Sequence, residues 1–471
     1  MDRPTCSQFP HHPRGREGRK YGAFLECPLN LSTADSSKAM QRHIRHLRWY
    51  ICGMLFLGTV INYIDRMTLN FVKPDVQKQL QFSDFTFGVI VAFFQFAYAA
   101  MFPVTGRLMD ILGTRLGYIV CIGWWSAAGM LHAAARKASH FMVFRAMLGA
   151  GEGGSWTAGV KGVAEWFPAR ERSLAVGIWN GGSSVGGIIV GPLVAWILLR
   201  WGWRPAFILT GLIGFAWLFV WALLYHAPDK HPWLSAEELA YIEAGQREAA
   251  GEQQHQERLR WADLFRFRQA WGLLLFRLFM DQTWWFYVTW VPSYLRQERG
   301  VEILAAGILY SVPFLCADVG SISGGWLSGL LYSRGVPLST ARKAVIVGGC
   351  LLMLMGIPAV YARSPIVTVM LIGVVTYSYT VASANILTLP ADLVPANLTG
   401  SLTGLSGFFA GAGGIAMNLS TGLIKDRFGS YKPLFIAEAL IPLIGAAMVL
   451  FVMGQIRRLS VREEEPQRMA A

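Results

Sequence analysis

Residues 106–115 read G-R-L-M-D-I-L-G-T-R, and residues 325–335 read G-W-L-S-G-L-L-Y-S-R-G. Each is a short, glycine-bounded break with an arginine near its end, set between two long apolar runs. They stand 219 residues apart. A second pair repeats at nearly the same offset: G-G-S-S-V-G-G-I-I-V-G-P at 181–192 has a counterpart 226 residues on, G-F-F-A-G-A-G-G-I-A-M-N at 407–418. Two similar offsets at two places imply a duplicated unit.

The flanking runs set the class of the chain. Of its 471 residues 54% are hydrophobic and only 15% charged. The apolar residues gather in twelve runs, at 47–72, 84–106, 116–135, 140–165, 173–198, 205–227, 270–295, 303–330, 342–362, 365–390, 400–424 and 432–456. These have the length that crosses a bilayer, roughly 18 to 25 residues. Backbone in lipid is satisfied only in helices or closed barrels, and continuous runs without alternation exclude the barrel. The expected fold is an all-α membrane protein of twelve transmembrane helices in two pseudo-symmetric six-helix bundles, 47–227 and 270–456. Such a duplication places a binding site at the bilayer midplane between the halves.

The net charge of +13 does not point to nucleic acid, because its placement follows topology. Of the 42 Lys and Arg residues, 26 fall on the side of the N-terminus and 12 on the opposite side, those at span ends (Arg48, Arg342, Lys343 and Lys432) counted with the side they border, and Arg66, Arg145, Lys161 and Arg277 lie further inside spans. The positive-inside rule then puts both termini in the cytoplasm of a multi-pass protein of the cell (inner) membrane. Residues 1–46 lack a signal-peptide core and read as a disordered tail, as do 457–471. The polar stretch 228–269 reads as a cytoplasmic linker, with Ser235 placed to cap a short helix. The six cysteines are scattered and indicate neither a disulfide framework nor a zinc site.

The 106–115 segment matches the G-x-L-x-D-x-x-G-x-R loop of the major facilitator superfamily. Locally, Gly106 would allow close helix packing, and Asp110 would accept from Arg107 or Arg115, making Gly106, Asp110 and Arg115 a conformational latch. The glycines ending at Gly191-Pro192 resemble a drug/proton antiporter motif, but small residues four apart pack helices in any membrane protein.

Ionisable residues inside spans cost roughly 2.5 to 3.5 kcal/mol each on insertion scales and are functional candidates. Asp65 and Arg66 lie in span one, Arg145 and Glu152 in span four, Arg277 and Asp281 in span seven, and Asp318 in span eight. Asp65 and Arg66 are adjacent and point about 100° apart on a helix, which argues against an internal pair. Arg66 suits an anionic ligand, since guanidinium binds carboxylate bidentately. Arg145 and Glu152 are seven apart on one stripe. Glycines beside Glu152 would admit water or substrate, and a carboxylate between burial and an arginine suits proton exchange. Arg277 and Asp281, four apart, would neutralise each other. Tyr63, Tyr98, Asn180, Ser183, Ser383 and Asn385 add hydroxyl and amide groups suited to sugar hydroxyls.

Four segments carry a narrower resemblance: L-R-W-Y at 47–50, L-G-T-V-I-N-Y-I-D-R at 57–66, E-W-F-P-A-R-E-R-S-L-A-V-G at 165–177 and D-Q-T-W-W-F-Y-V-T-W-V-P at 281–292. Over about 47–456 the chain resembles the anion:cation symporter family, and within it bacterial hexuronate and sugar-acid transporters. The resemblance implies substrate contacts from Arg66, Tyr63 and Tyr98. It implies proton carriage by Asp65 and Glu152, the latter linked to Arg145. Ser183 and Gly407 stand where galactonate-type relatives have glutamine and, nearby, asparagine, which favours hexuronates.

The expected function is a proton-coupled symporter importing monocarboxylate sugar acids by alternating access. Asp65, Arg66, Arg145 and Glu152 sum to zero charge when ionised and to +2 with both acids protonated, so protonation would draw an anion in. Expected partners are a small organic anion and membrane lipid, with the proton as coupling ion and no other cofactor. Nothing in the sequence requires more than a monomer. An organophosphate/phosphate antiporter would use Arg277 as a second anchor; a proton-driven drug exporter would lack a dedicated anion-binding arginine. No H-E-x-x-H or G-x-S-x-G motif suggests an enzyme.

Overall fold

The structure, a computed structural model, describes residues 43–253, 261–394 and 396–457. The expectations for the tails fall mostly on 1–42 and 458–471, outside the described residues. The helices are α1 (Leu47–Leu80), α2 (Asp84–Leu131), α3 (Ala138–Trp166), α4 (Ala169–Trp201), α5 (Trp203–Leu224), α6 (Ala236–Gln253), α7 (Arg268–Gln297), α8 (Ile303–Ser333), α9 (Leu338–Leu352), α10 (Gly356–Tyr361), α11 (Pro365–Ile386), α12 (Leu389–Leu393), α13 (Ala396–Phe428) and α14 (Lys432–Ala447). Ten helical segments are long and apolar enough to cross a membrane by length and composition. The two long helices outside that ten are α3, with Arg145, Glu152 and Lys161, and α7, with Arg277 and Asp281. With them the described residues hold twelve crossings.

Several boundaries differ from the apolar runs. α1 continues past 72 through Pro74 to Leu80, so Lys73 lies inside it and is fully buried. Spans two and three form one helical path broken at Gly113, whose φ of 74° is open to glycine alone in practice. Gly106 is not the packing residue: a Cβ there would meet nothing within 4 Å among the described residues. The ninth span is interrupted by a 3₁₀ turn at Met353–Met355, and the last ends in a π turn at Met448–Val452.

The linker helix α6 is bound to the start of α1. Ser235 caps α6, its Oγ accepting from the Glu238 amide at 3.1 Å. Glu238 in turn accepts from the Leu47 amide at 3.1 Å and the Arg48 guanidinium at 2.7 Å. A carboxylate at a helix N-terminus satisfies a free N–H and complements the dipole. This end of the bundle is the linker face. Odd- and even-numbered crossings alternate direction, so α1 and α7 both run away from it.

The two halves meet chiefly in the part remote from the linker face. On α1 the residues from Ile64 to Lys73 are all buried, and on α7 those from Phe286 to Leu295. Asn70 donates to the Val288 carbonyl (3.2 Å), Ser311 to the Ile188 carbonyl (2.9 Å), and Asn418 to the Gln95 amide oxygen (3.2 Å). Gly88 packs on the Asn418 carbonyl, and Gly191 and Gly307 on each other's backbone. At the far face Arg296 donates to Asp75 at 2.7 Å, and both oxygens of Asp426 accept backbone amides of Asp84 and Phe85. Lys73 pairs with Asp84 at 2.6 Å and lies against the faces of Phe87 and Trp290. Large apolar side chains such as Phe96, Phe219, Ile322 and Phe451 remain exposed on the outside, as a lipid-facing belt requires.

Candidate functional site

Arg66 lies where the sealed stretch of α1 begins, and three helices converge on it. Its Nε donates to Glu152 Oε2 of α3 at 2.7 Å, and its Nη2 to Asn62 Oδ1 one turn back at 3.2 Å. The guanidinium carbon sits 4.7 Å from the ring centre of Tyr63, 4.8 Å from that of Tyr98 and 5.3 Å from that of Phe94. Three aromatic faces around one guanidinium give a planar, always-charged group a fixed orientation. Tyr63 and Tyr98 are half-buried, whereas Arg66 and Glu152 are buried.

Glu152 therefore pairs with Arg66, not with Arg145 as the shared stripe and the resemblance implied. Arg145 Nη1 donates instead to the Arg66 backbone carbonyl at 2.9 Å, its guanidinium lies over the Phe94 ring, and its Nε and Nη2 have no hydrogen-bond partner among the described residues. The reason is crossing geometry: α1 passes α3 with Arg66 level with Glu152, so a cross-helix pair forms ahead of one two turns apart on the same helix. The glycines flanking Glu152 also serve differently. Cβ atoms at Gly149 and Gly153 would run into the α2 backbone at Phe94 and Tyr98, and one at Gly154 into Cys121. They let α2 approach closely enough to place Phe94 and Tyr98 on Arg66, rather than opening space for water.

Asp65 turns away from Arg66. Its oxygens lie toward Gly129 of α2 and toward Gly214 and Thr210 of α5. Thr210 nearby donates to the Phe207 carbonyl at 3.4 Å.

The remaining predicted residues do not join this cluster. Ser183 donates to the Asn180 carbonyl of its own helix, and Asn180 is exposed. Asn385 gives its amide hydrogens to the Gly324 and Val381 carbonyls, tying α11 to α8. Asp110 accepts from Lys161 at 2.9 Å rather than from Arg107 or Arg115, and Arg115 donates to the Ala222 carbonyl at the end of α5. Gly182 and Gly186 pack on α1, Gly187 and Gly191 on α8, which is helix packing. In the second half Arg277 pairs with Asp281 at 2.9 Å, and the Tyr379 hydroxyl donates to Asp281 Oδ1 at 3.0 Å. Asp318 faces Ser184 across the halves. Among the described residues, Glu438 and Lys73 are the most deeply buried of the charges that escaped the sequence reading. Glu438 of α14 accepts from Thr283 at 3.0 Å, and its signal was a lone carboxylate in I-A-E-A-L-I-P. Lys73 was hidden because a lysine followed by proline reads as the end of a span.

The pattern of crossings, the broken loop at Gly113 and the matching sequence profile, over residues 55–418, decide the family. The chain belongs to the Major Facilitator Superfamily. It is 33% identical over 429 residues to the hexuronate transporter of Escherichia coli (strain K12), covering 90% of this chain and 98% of that one. It is 35% identical over 313 residues to the galacturonate transporter of Dickeya chrysanthemi, covering 66% of this chain and 90% of that one. Among solved structures it superposes on a bacterial homologue of the human lysosomal transporter Spinster with a TM-score of 0.70 at 17% identity, over 86% of this chain and 96% of that one. That similarity shows the fold. The chain is a multi-pass membrane transporter of the superfamily, not an enzyme.

Proposed function

We propose that this facilitator imports monocarboxylate sugar acids of the hexuronate type, driven by protons, through alternating access. The observation that carries the proposal is the Arg66–Glu152 ion pair, buried between the aromatic faces of Tyr63, Tyr98 and Phe94. The relatives named for hexuronate and galacturonate support the substrate class.

The pair supplies a coupling device. Glu152 and a substrate carboxylate compete for the same guanidinium. A proton on Glu152 removes the competitor and leaves Arg66 to the substrate; loss of the proton restores the ion pair and expels the anion. Asp65, on the α2–α5 side, takes a second proton without touching the substrate. The surplus of Lys and Arg on the linker face supports a cytoplasmic assignment for it. The halves, joined at the remote face, then stand in the inward-facing arrangement, and outward opening requires breaking the Arg296–Asp75 and Asp426 ties and lifting Lys73 off Trp290.

The test is uptake of radiolabelled glucuronate or galacturonate into proteoliposomes. Accumulation should follow an inward proton gradient and collapse with an uncoupler. Uptake indifferent to the gradient overturns proton coupling, and no uptake of either sugar acid overturns the substrate class. The organophosphate antiporter is disfavoured because Arg277 is neutralised by Asp281; phosphate-driven exchange would restore it.

A further inference from the structure

We infer that Asp281 restricts this site to substrates with a single carboxylate, an inference that rests on the sugar-acid reading above. A chain of contacts carries the Arg66 site into the second half. The ring of Tyr63, which lies on Arg66, stems from a Cβ against Gly186 of α4, and the next residue, Gly187, lies against the ring of Phe314 on α8. Phe314 meets Trp284 edge-on at 5.7 Å, and Trp284 stacks on Tyr379 at 5.2 Å. The Tyr379 hydroxyl donates to Asp281, which pairs with Arg277. Helix register agrees. Asn70 and Val288 meet; one to two turns toward the linker face from them lie Arg66 and Tyr63 on α1, and Trp284 and Asp281 on α7.

The far wall of the site thus mirrors the near one, an arginine and a carboxylate in each half, but with a different consequence. A six-carbon sugar acid holding its carboxylate on Arg66 presents its other end to this wall. The Arg277–Asp281 pair has no net charge, and with Trp284 and Tyr379 it suits an uncharged, hydroxylated end: an aromatic face for the carbon chain, a carboxylate to accept from a hydroxyl. A second carboxylate meets the Asp281 charge with no uncompensated cation, and has to displace Asp281 from Arg277. Rejection by a like charge is an effective source of specificity.

The experiment is competition by glucarate, with two carboxylates, against radiolabelled glucuronate in proteoliposomes. For the wild type, glucuronate should compete at least about tenfold better than glucarate. Equal inhibition overturns the inference whether or not any variant folds. Asp281→Asn, which frees Arg277, should shift the ratio toward glucarate by about tenfold or more, and the double variant Arg277→Gln/Asp281→Asn should abolish the shift. An unchanged ratio in a monodisperse Asp281→Asn protein, or a shift that persists in the double variant, overturns it. A wild type that transports neither compound sinks the sugar-acid reading instead, so the two failures are distinct.

Discussion

The guanidinium of Arg66 is shared between roles that a point charge cannot combine: it pairs with Glu152 through Nε, holds Asn62 through Nη2, and lies among three aromatic rings. Arg66→Lys keeps the charge and loses the fork and the flat surface. Its sugar-acid uptake should fall at least about tenfold, the range of one charge-assisted bidentate contact, with protein yield unchanged. Wild-type uptake in that variant would remove Arg66 as anion anchor. Glu152→Gln should lose gradient-driven accumulation yet retain exchange of labelled for unlabelled substrate, because a neutral amide no longer competes for Arg66 or carries a proton. Full gradient-driven accumulation would exclude Glu152 from coupling. Arg66 and Glu152 were legible one by one, since a lone charge in an apolar run announces itself. Their pairing was not, because it depends on where α1 crosses α3.

Glycine positions separate what an element needs from what its motif suggests. Gly149 sits with its missing Cβ against the Phe94 carbonyl and the Tyr98 amide, backbone atoms that no rotamer change can move aside. Gly149→Ala should push α2 off α3 and cost about 1 to 3 kcal/mol by overpacking. It should appear as a lower melting temperature in detergent together with weaker substrate binding, since Phe94 and Tyr98 move with α2. Gly113→Ala places a side chain at φ 74° and should destabilise by about 1 to 3 kcal/mol, whereas Gly106→Ala, with open space around it, should leave stability within about 0.5 kcal/mol. Equal melting temperatures for those two variants would contradict the assignment of the turn to Gly113. The loop motif pointed to both glycines, and only the backbone angle distinguishes them.

At the scale of the whole molecule, the closed face rests on charges that water would otherwise claim. Lys73 has no exposure and relies on Asp84 and two aromatic faces. Removing one partner of a buried ion pair costs about 3 to 5 kcal/mol, a penalty relieved when that face opens and Lys73 is hydrated. Asp84→Asn should therefore shift the population toward the arrangement open at the remote face. In a cysteine-free background, Ser311→Cys at the α4–α8 seam should become labelled by a membrane-impermeant thiol reagent about tenfold faster or more when Asp84→Asn is added. Unchanged labelling would mean that Lys73 does not hold the closure. By itself the sequence determined the membrane class, the twelve crossings, the duplication and the handful of intramembrane charges, because each follows from the length of apolar runs and the cost of charge in hydrocarbon. Only the tertiary structure decided that Glu152 belongs to Arg66, that Asp65 faces α5, that Lys73 is buried against Asp84, Phe87 and Trp290, and that Asp281 holds both Arg277 and Tyr379. Those relations depend on helix crossings and register between residues from 11 to more than 300 positions apart, which one helix's periodicity does not encode.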